Sequence, residues 1–198
     1  TLRNDVGNYQ VKCFTDDTFR IRDNTNGADR LTLHANGVFS ASAGVALGVG
    51  NLNTSSNVLG DYEEGSWSPA ITSDGGGGFS GVTYGDRYGT YTKIGRVVTV
   101  HAFMNLDAVT SFGSGNVIVS TLPFSTNADS GYRSAISIGF AKDWDQAPSG
   151  ATIANNTNVI YLRKRNTSSA LENLTNVVQV ADVNNNSQLI ISATYETD

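Results

Sequence analysis

Val97-Val-Thr-Val-His-Ala-Phe-Met-Asn-Leu106 decides the fold class. Read with a period of two, it places Val98, Val100, Ala102, Met104 and Leu106 on one face and Val97, Thr99, His101, Phe103 and Asn105 on the other. A wholly apolar face within a β-branched run predicts a strand that lines a core. The second face mixes Val97 and Phe103 with His101, as expected where a neighbouring subunit or a covering loop meets it. Nothing within the strand gives His101 a nucleophile to activate, so it reads as an interface or ladder residue.

The same rhythm continues outward. Residues 90–94 alternate and lead into a Gly95-Arg96 turn; residues 116–122, 135–140, 159–163, 177–180 and 188–195 are further strand runs. Between them lie turn stretches such as 112–115, 127–131 and 184–187. Eight or so strands at this spacing predict a jelly-roll-like antiparallel β-sandwich. Only residues 168–174 hint at a helical turn.

Composition agrees. Charged residues make up 16% and hydrophobic ones 39% of 198, with 21 Gly and 3 Pro, a balance that favours an all-β protein with polar turns over disorder. The net charge of −5 gives no electrostatic reason to expect nucleic acid as a partner. No apolar run approaches the ~18 residues of a membrane span, and no membrane insertion is expected. The lone Cys13 forms no intrachain disulfide, as suits folding in a reducing host cytoplasm. The chain begins at Thr1 without Met, as expected of a fragment or processed product.

Before residue 60 the pattern is thinner. Residues 9–14 and 18–22 alternate about Asp16-Asp17, residues 23–27 and Asn36-Gly37 are turns, and Leu31, Leu33, Val38, Val45, Leu47 and Val49 are spread among small residues. Two or three apolar residues per strand do not offset an ordering cost of about 1–2 kcal/mol per residue in a single chain. Copies arranged about an axis can pool them. The 44–50 segment reads either as a close axial approach of such copies or as a flexible linker. His34 reads as a surface or inter-subunit hydrogen bonder. Residues 1–60 are therefore expected to form a slender β-rich stalk and trimerisation segment, in which three copies could pool their apolar residues as an intertwined trimer, and residues 61–198 a β-sandwich head.

The junction is Leu59-Gly60-Asp61-Tyr62-Glu63-Glu64-Gly65-Ser66-Trp67-Ser68-Pro69. Its carboxylates suit a solvated hinge; the alternative is a calcium site, but the EF-hand spacing is missing and no metal is expected. Trp67 reads as core or junction packing. Asp61-Tyr-Glu-Glu-Gly-Ser-Trp-Ser-Pro69, Gly89-Thr-Tyr-Thr-Lys-Ile-Gly95, Leu122-Pro-Phe124 and Ser192-Ala-Thr-Tyr-Glu-Thr-Asp198 together resemble the carboxy-terminal region of bacteriophage tail fibres and receptor-binding proteins. Residues 28–38 are similar to the short β segments that precede such heads, so the resemblance spans about residues 28–198. It implies a homotrimer in the virion, attached to upstream tail or virion proteins.

No catalytic set, phosphate loop or zinc spacing is present, and the expectation is a non-enzyme without cofactors. Carboxylate pairs drawn from Asp143, Asp145, Glu63 and Glu64 read as surface groups. Two aromatic patches suit sugar. Trp144, flanked by Asp143, Asp145 and Gln146, is expected in a loop after the Phe140 strand, either stacking on a sugar or folding back over the end of the sandwich. Tyr84 and Tyr88, beside Gly85, Asp86 and Arg87, form the second patch, with a structural role as its alternative. The basic run Arg163-Lys-Arg165 either contacts anionic polysaccharide or protects an edge strand. The leading expectation is adhesion to host surface polysaccharide or lipopolysaccharide. The alternatives are a structural trimerisation cap or virion decoration without ligand, and a non-catalytic terminal module of a polysaccharide depolymerase spike.

Overall fold

A computed structural model describes residues 2–3, 7–46, 58–165 and 176–198. The chain divides into two compact units, Thr1–Asp61 and Tyr62–Asp198. Leu47, Val49 and the helical hint at 168–174 lie outside the described residues.

The first unit is an antiparallel meander of β1 (Leu2–Arg3), β2 (Asn8–Cys13), β3 (Phe19–Asp23), β4 (Ala28–Leu33) and β5 (Phe39–Ala41), paired in chain order. Asp23 organises the turn between β3 and β4: it accepts the backbone N–H groups of Thr25 and Asn26 at 3.1 and 3.2 Å, and the Asn26 side-chain amide at 2.7 Å. These bonds and the Arg30 guanidinium, 2.6 Å away, hold its carboxyl down at about 2. A short ladder of β6 (Val45–Ala46) and β7 (Val58–Leu59) follows.

The second unit is built from β8 (Tyr62–Ser66), β9 (Ala70–Ser73), β10 (Thr83–Ile94), β11 (Val97–Ala108), β12 (Val117–Ser120), β13 (Arg133–Trp144), β14 (Gly150–Ala154), β15 (Ile160–Lys164), β16 (Asn176–Val177) and β17 (Val183–Glu196). They form one antiparallel sheet in the order β8-β10-β11-β17-β13-β14-β15-β12-β9, with β16 beside β15. All five predicted inward residues of β11 are fully buried. They pack in one cluster with Leu189, Ile191, Ile153, Leu162, Val119 and Ile71 from strands spread across the whole order. The sheet therefore curls on itself, and its halves are the two layers of the expected all-β sandwich.

The sequence motifs meet through contacts among themselves. Trp67 donates its backbone N–H to Gly89 at 2.9 Å, and its indole lies so close to Gly89 that a Cβ there would stand 2.6 Å from Nε1. The Tyr91 ring crosses Gly65 in the same way, and its hydroxyl reaches Glu63 at 2.5 Å. Tyr91 meets the Phe124 ring edge-on at 5.4 Å, Lys93 lies over that ring, and the buried Tyr195 hydroxyl donates to the Phe124 carbonyl at 3.1 Å. Burial pushes the Tyr195 hydroxyl up to about 12.

Two expectations need correction. Strand β15 is interior, with β14 on one side and β12 and β16 on the other, so the basic run protects no edge; Lys164 instead pairs with Asp182 at 2.5 Å, both largely buried. Trp144 is not in a loop but ends β13, whose pairing with β17 continues as far as Trp144 opposite Val183.

Candidate functional site

Strand β8 pairs only with Thr90–Ile94 of β10, and the chain then passes through Trp67, Ser68 and Pro69 into β9, the opposite edge of the curled sheet. The first half of β10 is left facing the β9 edge. Tyr84 bridges the gap: its hydroxyl accepts the Ile71 N–H at 3.0 Å and donates to the Ile71 carbonyl at 3.4 Å. Partial burial of the Tyr84 ring pushes its hydroxyl pKa up.

Along this seam runs an open groove of about 720 Å³. Its lining includes Tyr84, Asp86, Arg87, Phe79, Thr72 and Ser120. The Arg87 guanidinium lies 4.7 Å from the Tyr84 ring centroid, within cation–π range, and makes no ion pair among the described residues. Phe79 is held edge-on to Phe112 at 5.1 Å, with its backbone N–H on Thr72 Oγ1 at 3.2 Å. A guanidinium, a carboxylate, hydroxyls and aromatic faces in one open groove suit a polyhydroxylated ligand. Phe79, Thr72 and Ser120 were missed in the sequence because three separate segments bring them together; the one signal that could have pointed to any of them is that Phe79 is an aromatic directly after the Gly75–Gly78 run.

The structure does not bring Tyr84 and Tyr88 together. Gly85 is bulged out of the β10–β11 ladder, so Tyr84 opposes Leu106 and Arg87 opposes Met104 on the inner face, while Tyr88 opposes Phe103 on the outer face. The proposed aromatic pair is therefore not one patch; Tyr84 shares its side with Arg87. Tyr88 instead starts an outer row that crosses four strands through Phe103, Ile190 and Phe140. Its two ends are exposed, at 57% for Tyr88 and 41% for Phe140.

The Trp144 patch also resolves into separate roles. A second bulge, with Asp143 at φ 61°, turns Trp144 inward beside Val183, where it packs against the core and donates Nε1–H to the Gln188 carbonyl at 2.9 Å. Asp143 is exposed beside Lys142 at 3.4 Å, Asp145 accepts the Asn184 side-chain amide at 2.8 Å, and Gln146 is exposed. The junction carboxylates diverge as well, Glu63 taking the Tyr91 hydroxyl and Glu64 the Tyr62 hydroxyl at 2.7 Å.

No protein-family model and no curated protein matches the chain. Among solved structures, the crystal structure of the Dettilon tailspike protein is similar, with a TM-score of 0.52 and 16% identity. The similarity takes in 68% of this chain and 24% of the tailspike, so the chain corresponds to about a quarter of that protein's length. At this identity the likeness is one of fold.

Proposed function

We propose that this chain is a host-attachment module of a bacteriophage tail fibre or spike, which adheres as a homotrimer to a cell-surface glycan without altering it. The observation that carries the reading is the seam groove, in which Tyr84, fixed at both ends of the Ile71 peptide edge, holds Arg87 over its ring beside Asp86 and Ser120. Its fold likeness to a tailspike supports the same setting, in the virion and joined to upstream tail proteins. Such sites are shallow and individually weak, and repetition on one particle raises avidity through effective concentration. Host polysaccharide or lipopolysaccharide supplies the hydroxyls that the groove can hydrogen-bond.

The test is binding of the intact chain to host cells and to a glycan array, compared with Arg87→Ala. Loss of binding with an unchanged melting temperature supports the groove. Binding that survives Arg87→Ala and Tyr84→Phe moves recognition elsewhere. The inward packing of Trp144 favours a second reading, a structural cap without ligand, and binding to no glycan or host cell would select it.

A further inference from the structure

Among the described residues that line the seam groove, Arg87 is the one cation and Asp86 the one carboxylate. The register separates them: Arg87 pairs with Met104 of the inner face and Asp86 with Asn105 of the outer one, and no ion pair joins their side chains. Arg20, Arg22, Arg30 and Lys164 each sit against an aspartate. Arg87 has an aromatic ring in that place.

The ring is a fixed platform. The Tyr84 hydroxyl accepts from and donates to the Ile71 peptide edge, so the ring cannot turn away from the guanidinium 4.7 Å from its centroid. A guanidinium stacked by one face is weakly hydrated and keeps the N–H donors of its planar edge for another partner. Two such donors match two oxygens of a carboxylate or phosphate, which is the strong, bidentate case. A neutral hydroxyl would leave the charge without a counter-charge.

The groove walls suit hydroxyls beside that charge. Thr72 Oγ1 accepts the Phe79 N–H at 3.2 Å, which leaves its O–H to donate, and Ser120 Oγ donates to the Ala70 carbonyl at 3.4 Å, which leaves lone pairs to accept. Phe79, held edge-on by Phe112, adds an aromatic surface for the C–H face of a sugar ring.

We infer, on the reading of this groove as a glycan site, that its ligand is an acidic glycan whose carboxylate or phosphate sits on the Arg87 guanidinium, with neighbouring hydroxyls on Thr72 and Ser120. The net charge of −5 gives no general attraction for a polyanion, so selection for the acid is local to Arg87. In the basic run at 163–165, Lys164 is taken up by Asp182.

The experiment measures binding of the intact chain to immobilised oligosaccharides in acid–neutral pairs: galacturonan against its carboxyl-reduced form, a sialylated glycan against its desialylated form, and phosphomannan against its dephosphorylated form. Expected is preference for the acidic member, the first two pairs reporting a carboxylate and the third a phosphate. Arg87→Gln is expected to weaken binding of the acidic member about tenfold or more, the scale of a lost charge-assisted hydrogen bond, and to leave the neutral member little changed. Arg87→Lys, which keeps the charge and loses the fork, falls between. Arg87 is exposed, so an unchanged melting temperature is expected in both variants. Equal binding of acidic and neutral members, lost in Thr72→Val or Ser120→Ala, overturns the acid inference and leaves the glycan groove standing. An acid preference kept in Arg87→Gln and lost in Arg163→Gln moves the acid to the basic run and overturns it too. Binding to no acidic member overturns the inference alone, because binding to host cells tests the groove separately. Binding that no groove variant changes overturns both readings.

Discussion

The indole of Trp67 and the backbone of Gly89 are in contact with no room for a methyl group between them: a Cβ on Gly89 would lie 2.6 Å from Nε1, 2.7 Å from Cδ1 and 2.9 Å from Pro69 Cδ. This places the glycine of Gly89-Thr-Tyr-Thr-Lys-Ile-Gly95 and the tryptophan of the junction in one structural unit. Gly89→Ala is expected to destabilise the second unit by about 1–3 kcal/mol through overpacking. Urea unfolding followed by tryptophan fluorescence measures it. Gly76→Ala, where a Cβ meets nothing within 4 Å, is the control and is expected to change little.

Tyr195, almost wholly buried, ties the last strand to Phe124 through its hydroxyl. Tyr195→Phe is expected to cost about 1 kcal/mol, one hydrogen bond, and Tyr195→Ala about 3–5 kcal/mol, the loss of a buried ring. The same hydroxyl makes the unit sensitive to alkali. Its pKa is about 12 in the folded chain against 10.0 unfolded, so its contribution is complete below pH 10.0 and is lost as pH rises towards 12. An alkaline unfolding titration of Tyr195→Phe should lack that part of the decline.

Acid acts on the first unit with the opposite sign. Asp23 titrates at about 2 when folded against 3.8 unfolded, and Asp16 and Asp29 are lowered too by their hydrogen bonds and arginine partners. Their stabilisation is present above pH 3.8 and is lost as pH falls towards 2. Hydrogen-exchange protection in residues 8–33 should fall over that window, and should fall less in Asp23→Asn, whose turn no longer depends on a charge.

How far the sequence could be read depends on where alternation holds. Strand β11 keeps strict alternation through Leu106, and both its faces were legible from residue types alone. The first unit's paucity of core was legible for the same reason: its strands offer few apolar residues, and none is buried among those described. The geometry of the two aromatic patches was not, because each spans breaks in strand register. Gly85 adds one residue to β10 with none opposite it, and at Asp143 the pairing jumps from Lys142 opposite Gln188 to Trp144 opposite Val183, so at both places alternation no longer tells which face a side chain takes. Glycine and aspartate are common in turns and strands' ends alike, and nothing in the residue itself marks a bulge. The groove was legible only in part, since Tyr84, Asp86 and Arg87 are neighbours in sequence while Thr72 and Ser120 reach it through the curl of the sheet.

The bulge at Asp143 can be tested directly, because its geometry favours particular residues. With φ at 61° it occupies the left-handed region, which costs an ordinary L-residue roughly 1–2 kcal/mol and costs glycine nothing. Asp143→Gly is therefore expected to be neutral or slightly stabilising, and Asp143→Val to destabilise by about 1–2 kcal/mol. The near-ultraviolet circular dichroism of Trp144, whose indole is fixed by the Gln188 carbonyl, should persist in the glycine variant and weaken in the valine one. If recognition depended on the exposed carboxylate at 143 and not on the groove, Asp143→Gly would abolish glycan binding while leaving stability intact. Retained binding is expected, because the groove residues lie on β9, β10, β12 and the 79–82 segment.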